Sequence, residues 1–192
     1  GEVNFSYTID DGSGTTNSTD IAAFKLTYTP ENDAPELELE LPGHTAQFTE
    51  GQAPIRVASS IQLEDIDSEN YDGGTVSISM DNPQEGDVFS FGTGHGVDID
   101  GNTVLYHGDT IIGTYTGGTD GEPLVITFNE YATPEAVEDV IQTITYENTT
   151  EDPSEVTREV NITVTDGDGG SSTVETQIEV KEINRLPVAP YT

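Results

Sequence analysis

The sequence predicts an all-β protein, an antiparallel Greek-key β-sandwich with one short helix, and three observations predict it. Apolar and polar residues alternate over many short runs, the period of a strand with one face buried. Asp-Gly turn signals separate these runs at short intervals. Only one segment carries the wider period of a helix.

The runs begin with "VNFSYTI", where Val3, Phe5, Tyr7 and Ile9 share a face, and "FKLTY", with Phe24, Leu26 and Tyr28. "TVSISM", "TVLYH", "IIGTYT", "LVITF", "TITY", "VNITVT" and "TQIEV" follow. Asp11-Gly12, Asp72-Gly73-Gly74, Asp100-Gly101, Asp120-Gly121 and Asp166-Gly167 supply the turns between them. Many short strands punctuated in this way favour a sandwich over a sheet crossed by helices. The helix is "TPEAVEDVIQTI". Thr133 is its N-cap, Pro134 its first residue, and Glu135, Glu138 and Asp139 lie near the positive end of its dipole. Val137, Val140, Ile141 and Ile144 form its apolar face, predicted to pack over one end of the sandwich.

A weak internal repeat divides the chain. "VNFSYTIDDGSG", a strand and "PENDAP" parallel "EVNITVTDGDGG", a strand and "EINRLP". Residues 1–33 therefore read as the C-terminal hairpin of a preceding or split module, residues 34–187 as a complete sandwich, and residues 188–192 as a tail. Because two strands alone are marginal in water, the hairpin over residues 3–29 is expected to dock on the main domain. The N-terminus, "GEVNFSYTID", has neither a basic nor an apolar leader pattern and starts within a strand, so the expectation is a segment of a longer protein.

The composition limits the function. The chain has 37 Asp and Glu against 5 Lys and Arg, a net charge of −32, and no cysteine. Such a field repels nucleic acid and anionic membrane, and without thiols there are neither disulfides nor thiolate metal sites. No stretch is apolar enough to span a bilayer, so no direct membrane insertion is expected. Scattered acids fit either a salt-adapted surface or a cation-binding protein, but clusters need a closer explanation.

The densest cluster is "LEDIDSENYDGG", residues 63–74, with five carboxylates in twelve residues. Calcium takes six to eight oxygens from carboxylates, carbonyls and water, and acidic loops bearing glycine supply them. If "SSIQL" is the second strand of a seven-strand Greek key, the loop after it brings Asp65, Asp67 and Asp72 to the end where the chain enters. The loop between the last two strands brings Asp166 and Asp168 to that end, and the junction brings Asn32 and Asp33. At the far end of the first strand, Glu50 would meet Glu182 and Asn184 at the exit. Several Ca2+ ions bridging these groups are the expected cofactors.

The junction "PENDAP", the early Glu50, the Asp-x-Asp at Asp65 and Asp67 and the late "DGDGG" resemble the calcium pattern of cadherin-like repeats. The block from "GNTVLYHGDTIIGTYT" through "VNITVTDGDGGSS" is similar to the cadherin-like modules of giant secreted repeats-in-toxin (RTX) adhesins of Gram-negative bacteria. The resemblance covers residues 36–187 and implies a cadherin/Ig-like sandwich, secreted to the bacterial cell surface and working in attachment and biofilm formation. It implies a non-enzymatic, monomeric module whose partners are a peptide C-terminus or glycan on another cell and neighbouring modules of the same chain. The alternative within this family is a passive extender stiffened by calcium, with no ligand of its own. The exit departs from the pattern, because Arg185 follows Asn184 where Asp33 follows Asn32.

Rival readings carry less. An EF-hand over "DIDSENYDGG" has Asn70 where the loop needs glycine. "GTGHGVDID" partly mimics a calcium β-roll repeat, but one copy makes no roll, and "VDIDGNTV" is more simply a hairpin. His44, His95 and His107 lie apart in sequence and read as surface residues rather than a zinc site or triad. Tyr71, Tyr106 and Tyr115 read as ligand-lining or as half-buried sheet packing. The sequons at Asn17, Asn148 and Asn161 are uninformative, and no carboxylate dyad can be picked from so many acids.

Overall fold

The computed structural model describes residues 2–14, 19–29, 31–40 and 45–183. The chain forms two compact units, residues 1–32 and residues 33–192. The first contains β1 (Glu2–Asp10) and β2 (Thr19–Thr27), an antiparallel hairpin in which Val3 faces Leu26 and Phe5 faces Phe24. The two phenyl rings stack with centroids 5.0 Å apart, and Lys25 Nζ pairs with Glu2 Oε1 at 2.5 Å.

The second unit is mostly β, as the alternating pattern requires. Its strands are β3 (Glu36–Leu39), β4 (Thr45–Thr49), β5 (Ile55–Arg56), β6 (Ile61–Glu64), β7 (Thr75–Met80), β8 (Asp87–Phe91) and β9 (Val97–Asp100). After them come β10 (Thr103–Tyr106), β11 (Thr110–Thr116), β12 (Leu124–Phe128), α1 (Pro134–Thr143), β13 (Ile144–Asn148), β14 (Arg158–Thr165) and β15 (Ser171–Lys181). An eight-stranded sheet runs β4-β15-β14-β7-β12-β11-β10-β9, a three-stranded sheet β5-β13-β8, and a pair β3-β6. These sheets are sandwich-like, with more strands than the seven expected, because β9, β10 and β11 extend the large sheet beyond β12. The hairpin "VDIDGNTV" is present as β9 and β10, with Asp100 opposite Thr103.

The core follows the predicted inward positions. Val76, Ile78, Leu124, Ile126, Ile162 and Val164 from the large sheet are all buried, as are Phe89 and Tyr146 from the smaller one. Phe48 of β4 meets Tyr146 of β13 edge to face at 5.5 Å, the favoured geometry for two ring quadrupoles. Within this core lies a charged pair. Arg158 and Asp87 have no exposed side-chain surface and pair at 2.8 Å.

The helix begins as predicted, since Thr133 accepts the Ala136 N–H at 3.2 Å and Pro134 opens the first turn. It ends one residue earlier than the apolar period suggested. Ile144 leaves helical geometry and starts β13, opposite Phe91, because cross-strand pairing there outweighs one more helical residue. The helix serves the edge of β6 that has no strand partner: Glu138 Oε2 accepts the Leu63 N–H at 2.9 Å, and Gln142 Nε2 donates to Ile61 O at 3.2 Å. Those backbone groups would otherwise lack partners. No basic residue lies in the last turn of α1, and Arg56 supplies one from β5 by donating to Gln142 O at 2.6 Å.

Candidate functional site

The acidic loops after β6 and between β14 and β15 meet at one end of the second unit. β14 pairs with β7 so that Thr165 lies opposite Thr75, which places the turns beyond both strands side by side. The approach is close enough to require glycine. A Cβ on Gly167, at φ +93°, would sit 2.3 Å from Asp72 O, and one on Gly74 would sit 2.4 Å from Thr165 O. The N-terminal junction reaches the same end, because β3 pairs with β6 with Glu36 opposite Glu64. There Asp67 Oδ2 accepts the Asp33 N–H at 3.1 Å.

Each carboxylate has its own environment. Asp65 Oδ1 accepts the N–H groups of Asp67 and Ser68 at 3.4 and 3.2 Å, while its Oδ2 is buried and unpaired among the described residues. Ser68 Oγ and Tyr71 OH are likewise buried and unpaired. Asp166 is buried within its own loop, its oxygens accepting the N–H groups of Asp168, Gly169 and Gly170 at 2.8–3.1 Å. Asp33, Asp67, Asp72 and Asp168 are exposed.

Tyr71 connects the loops and is the chief correction to the sequence reading. Its ring is fully buried rather than exposed or half-buried, because Tyr71 N–H donates to Ala132 O at 2.9 Å and seats the side chain beneath the acidic loops. Burial raises its phenol well above the usual tyrosine range, and the Asp65 and Asp166 carboxylates raise it further. The hydroxyl thus stays protonated facing Asp65, although the two do not meet in ordinary hydrogen-bond geometry.

Glu50 is at the other end. β4 runs parallel to β15, with Thr49 opposite Lys181, and Glu50 is buried there with Oε2 accepting the Ile183 N–H at 2.9 Å. Glu182 is exposed and its N–H donates to Glu155 Oε1 at 3.3 Å. Asn184 lies outside the described residues, and Asn32 closes the first unit.

The donors gathered at the acidic end are all oxygens, from carboxylate, hydroxyl and backbone groups, which is the chemistry a hard cation prefers. The buried unpaired oxygens of Asp65 and Ser68 fit such a group, since buried polar atoms without partners are costly. Among the described residues, no three acidic or histidine side chains stand close enough together to hold an ion. Asp65 Oδ1 and the Asp166 oxygens are engaged by N–H groups of their own loops, and Asp67 Oδ2 by the Asp33 N–H.

One polar cluster has no counterpart in the sequence reading. His95 Nδ1 lies 3.0 Å from Asp139 Oδ1, and Tyr106 OH donates to Asp139 Oδ2 at 2.7 Å. The His107 ring packs 4.1 Å from that of Tyr106. These histidines are exposed, as expected, but they share a neighbourhood. His95 and His107 both adopt left-handed backbone, at φ +54° and +48°. The only local signal was the glycine beside each, Gly96 and Gly108. His44 lies outside the described residues.

Fold and site together define a mostly β, sandwich-like protein with, among the described residues, one short helix and a concentrated acidic end. No protein-family model matches the chain, and no curated protein sequence matches it significantly. Among the described residues, no helix is long and apolar enough to cross a membrane.

Proposed function

We propose that the second unit is a calcium-dependent adhesion module with Greek-key connectivity, part of a large surface protein secreted by a bacterium. The observation that carries this reading is the oxygen-rich end of the sandwich, where loops distant in sequence meet and Asp65 Oδ2 and Ser68 Oγ are buried without partners among the described residues. A divalent ion there would draw oxygens from Asp33, Asp65, Asp67, Asp72 and Asp168, with Asp166 holding its loop in place. The ion supplies positive charge that offsets the mutual repulsion of these groups and stabilises the folded state by mass action. Where the ion keeps an open position, a ligand's carboxylate or hydroxyl completes its shell. Ile66, 89% exposed between Asp65 and Asp67, offers an apolar contact beside it. The partners in this reading are a peptide C-terminus or a glycan on another cell.

A passive extender is the second reading, and Glu50 favours it. Its buried carboxylate ties the chain at Ile183 to the body of the sandwich, as a stiff connection between modules requires. Calcium titration by calorimetry, followed by screens of free-carboxylate peptides and glycans with calcium and with chelator, separates the possibilities. Calcium-dependent ligand capture supports the adhesion module. Calcium binding without any ligand leaves the extender. Absence of calcium binding refutes both.

A further inference from the structure

The hairpin of the first unit repeats the one that closes the second. β1 reads Glu2-Val3-Asn4-Phe5-Ser6-Tyr7-Thr8 where β14 reads Glu159-Val160-Asn161-Ile162-Thr163-Val164-Thr165. With Pro35 aligned on Pro187, Leu26 and Tyr28 fall at Ile178 and Val180 of β15. Corresponding residues have opposite fates. Val160, Ile162, Val164, Ile178 and Val180 are between 0 and 3% exposed. Val3, Phe5, Tyr7, Leu26 and Tyr28 are between 40 and 55% exposed.

The cross-strand pairs Val3–Leu26 and Phe5–Phe24 gather the first unit's apolar residues onto one face. An isolated two-stranded ribbon cannot cover such a face, and contiguous exposed apolar surface of this kind marks an interface. Its counterpart shows what covers it. β14 is hydrogen-bonded to β7, β15 to β4, and both bury their inner residues in the core of the same sandwich.

We propose that β1 and β2 are the closing hairpin of another sandwich of this architecture, whose remaining strands, carried by polypeptide preceding residue 1 in the natural chain, cover the Val3–Phe5–Tyr7 face. The second unit is not that partner in the same role, because the positions beside β7 and β4 are taken by its own β14 and β15. A second copy of this chain would present another such hairpin, covering the face but leaving the outer edges of both ribbons unpaired. The inference rests on the repeated hairpin and holds whether or not the acidic end binds calcium.

Amide hydrogen exchange tests it on two proteins, the 192-residue chain and one extended upstream in its own gene by the length of one sandwich. In the shorter chain, the β1 and β2 amides should exchange at least 100-fold faster than those of β14 and β15. In the extended chain they should reach the protection of β14 and β15. Phe5→Asp should remove that protection while leaving the second unit's unchanged. No gain in the extended chain overturns the proposal, as does a natural chain that begins at residue 1. Full protection already present in the shorter chain also overturns it, assigning the second unit as occupant if concentration-independent and a second copy if concentration-dependent.

Discussion

Replacing Asp87 by alanine removes the carboxylate that answers Arg158, a guanidinium with no exposed surface. Asp87 Oδ2 accepts Arg158 Nε at 2.8 Å and Gln84 N–H at 2.8 Å. Oδ1 accepts Tyr146 OH at 2.6 Å, Asn148 Nδ2 at 2.8 Å and Arg158 Nη2 at 3.1 Å. Stripping a buried cation of its counterion costs about 3–5 kcal/mol, and at about 2–4 °C per kcal/mol for a domain of this size the Tm should fall by roughly 6–20 °C. Urea unfolding followed by circular dichroism, with calcium held constant, measures the loss. Because removing both charges can be nearly neutral, Asp87→Ala with Arg158→Met should lose less than Asp87→Ala alone. Acidity gives an independent readout. Burial by itself would raise the Asp87 carboxyl, but Arg158, Tyr146, Asn148 and the Gln84 N–H outweigh it and hold it below the usual carboxylate range. With the folded value depressed, the stabilisation is complete above the unfolded aspartate value of about 3.9 and is lost as pH falls through the lower folded value. A loss under about 1 kcal/mol for Asp87→Ala, or a double variant no better than the single, would refute the argument.

Four further outcomes are expected. Excess chelator should lower the Tm by more than about 5 °C, with magnesium a poor substitute because it demands a smaller, stricter shell; superimposable melting curves would remove the calcium reading. Asp67→Ala and Asp166→Ala should weaken the same calcium-binding isotherm, one by loss of an exposed ligand and the other by collapse of its loop; effects on separate isotherms would show that the loops do not share an ion. In chelator, Tyr71→Phe should be neutral or stabilising by up to about 1 kcal/mol, since it deletes a buried hydroxyl without a partner, and a loss exceeding that in urea unfolding would show the hydroxyl to be paired. Gly167→Ala should destabilise by about 2 kcal/mol or more, as both its left-handed backbone and the nearby Asp72 carbonyl oppose a Cβ; an unchanged urea midpoint would show that the two loops separate freely.

The concentration of acids at one end has a structural precondition that is independent of any ion. Thr165 and Thr75 are paired across β14 and β7 and share a hydroxyl hydrogen bond at 3.0 Å, which fixes the turns beyond them in contact. Repulsion between the loops is therefore carried by the sheet, whose core residues Val76 and Val164 are fully buried beside that pair. In the proposed calcium reading a cation would relieve that load, and its removal should be felt first in these loops.

What the sequence determined by itself was local. Period-two alternation in "TVSISM", "LVITF" and "VNITVT" specified strands with known inward faces, because neighbouring side chains on a strand must point to opposite sides. Thr133-Pro134 specified the helix start through the cap geometry it makes possible. The convergence of the loops after β6 and β14 was legible only once a strand order was assumed. The pairing of Asp87 with Arg158, 71 residues apart, left no local trace, nor did Asp139 receiving His95 and Tyr106. Tyr71 looked like any tyrosine in an acidic loop until the Ala132 carbonyl turned its backbone inward. Such contacts depend on register and strand order, which are settled by the packing of the whole core rather than by any run of neighbouring residues.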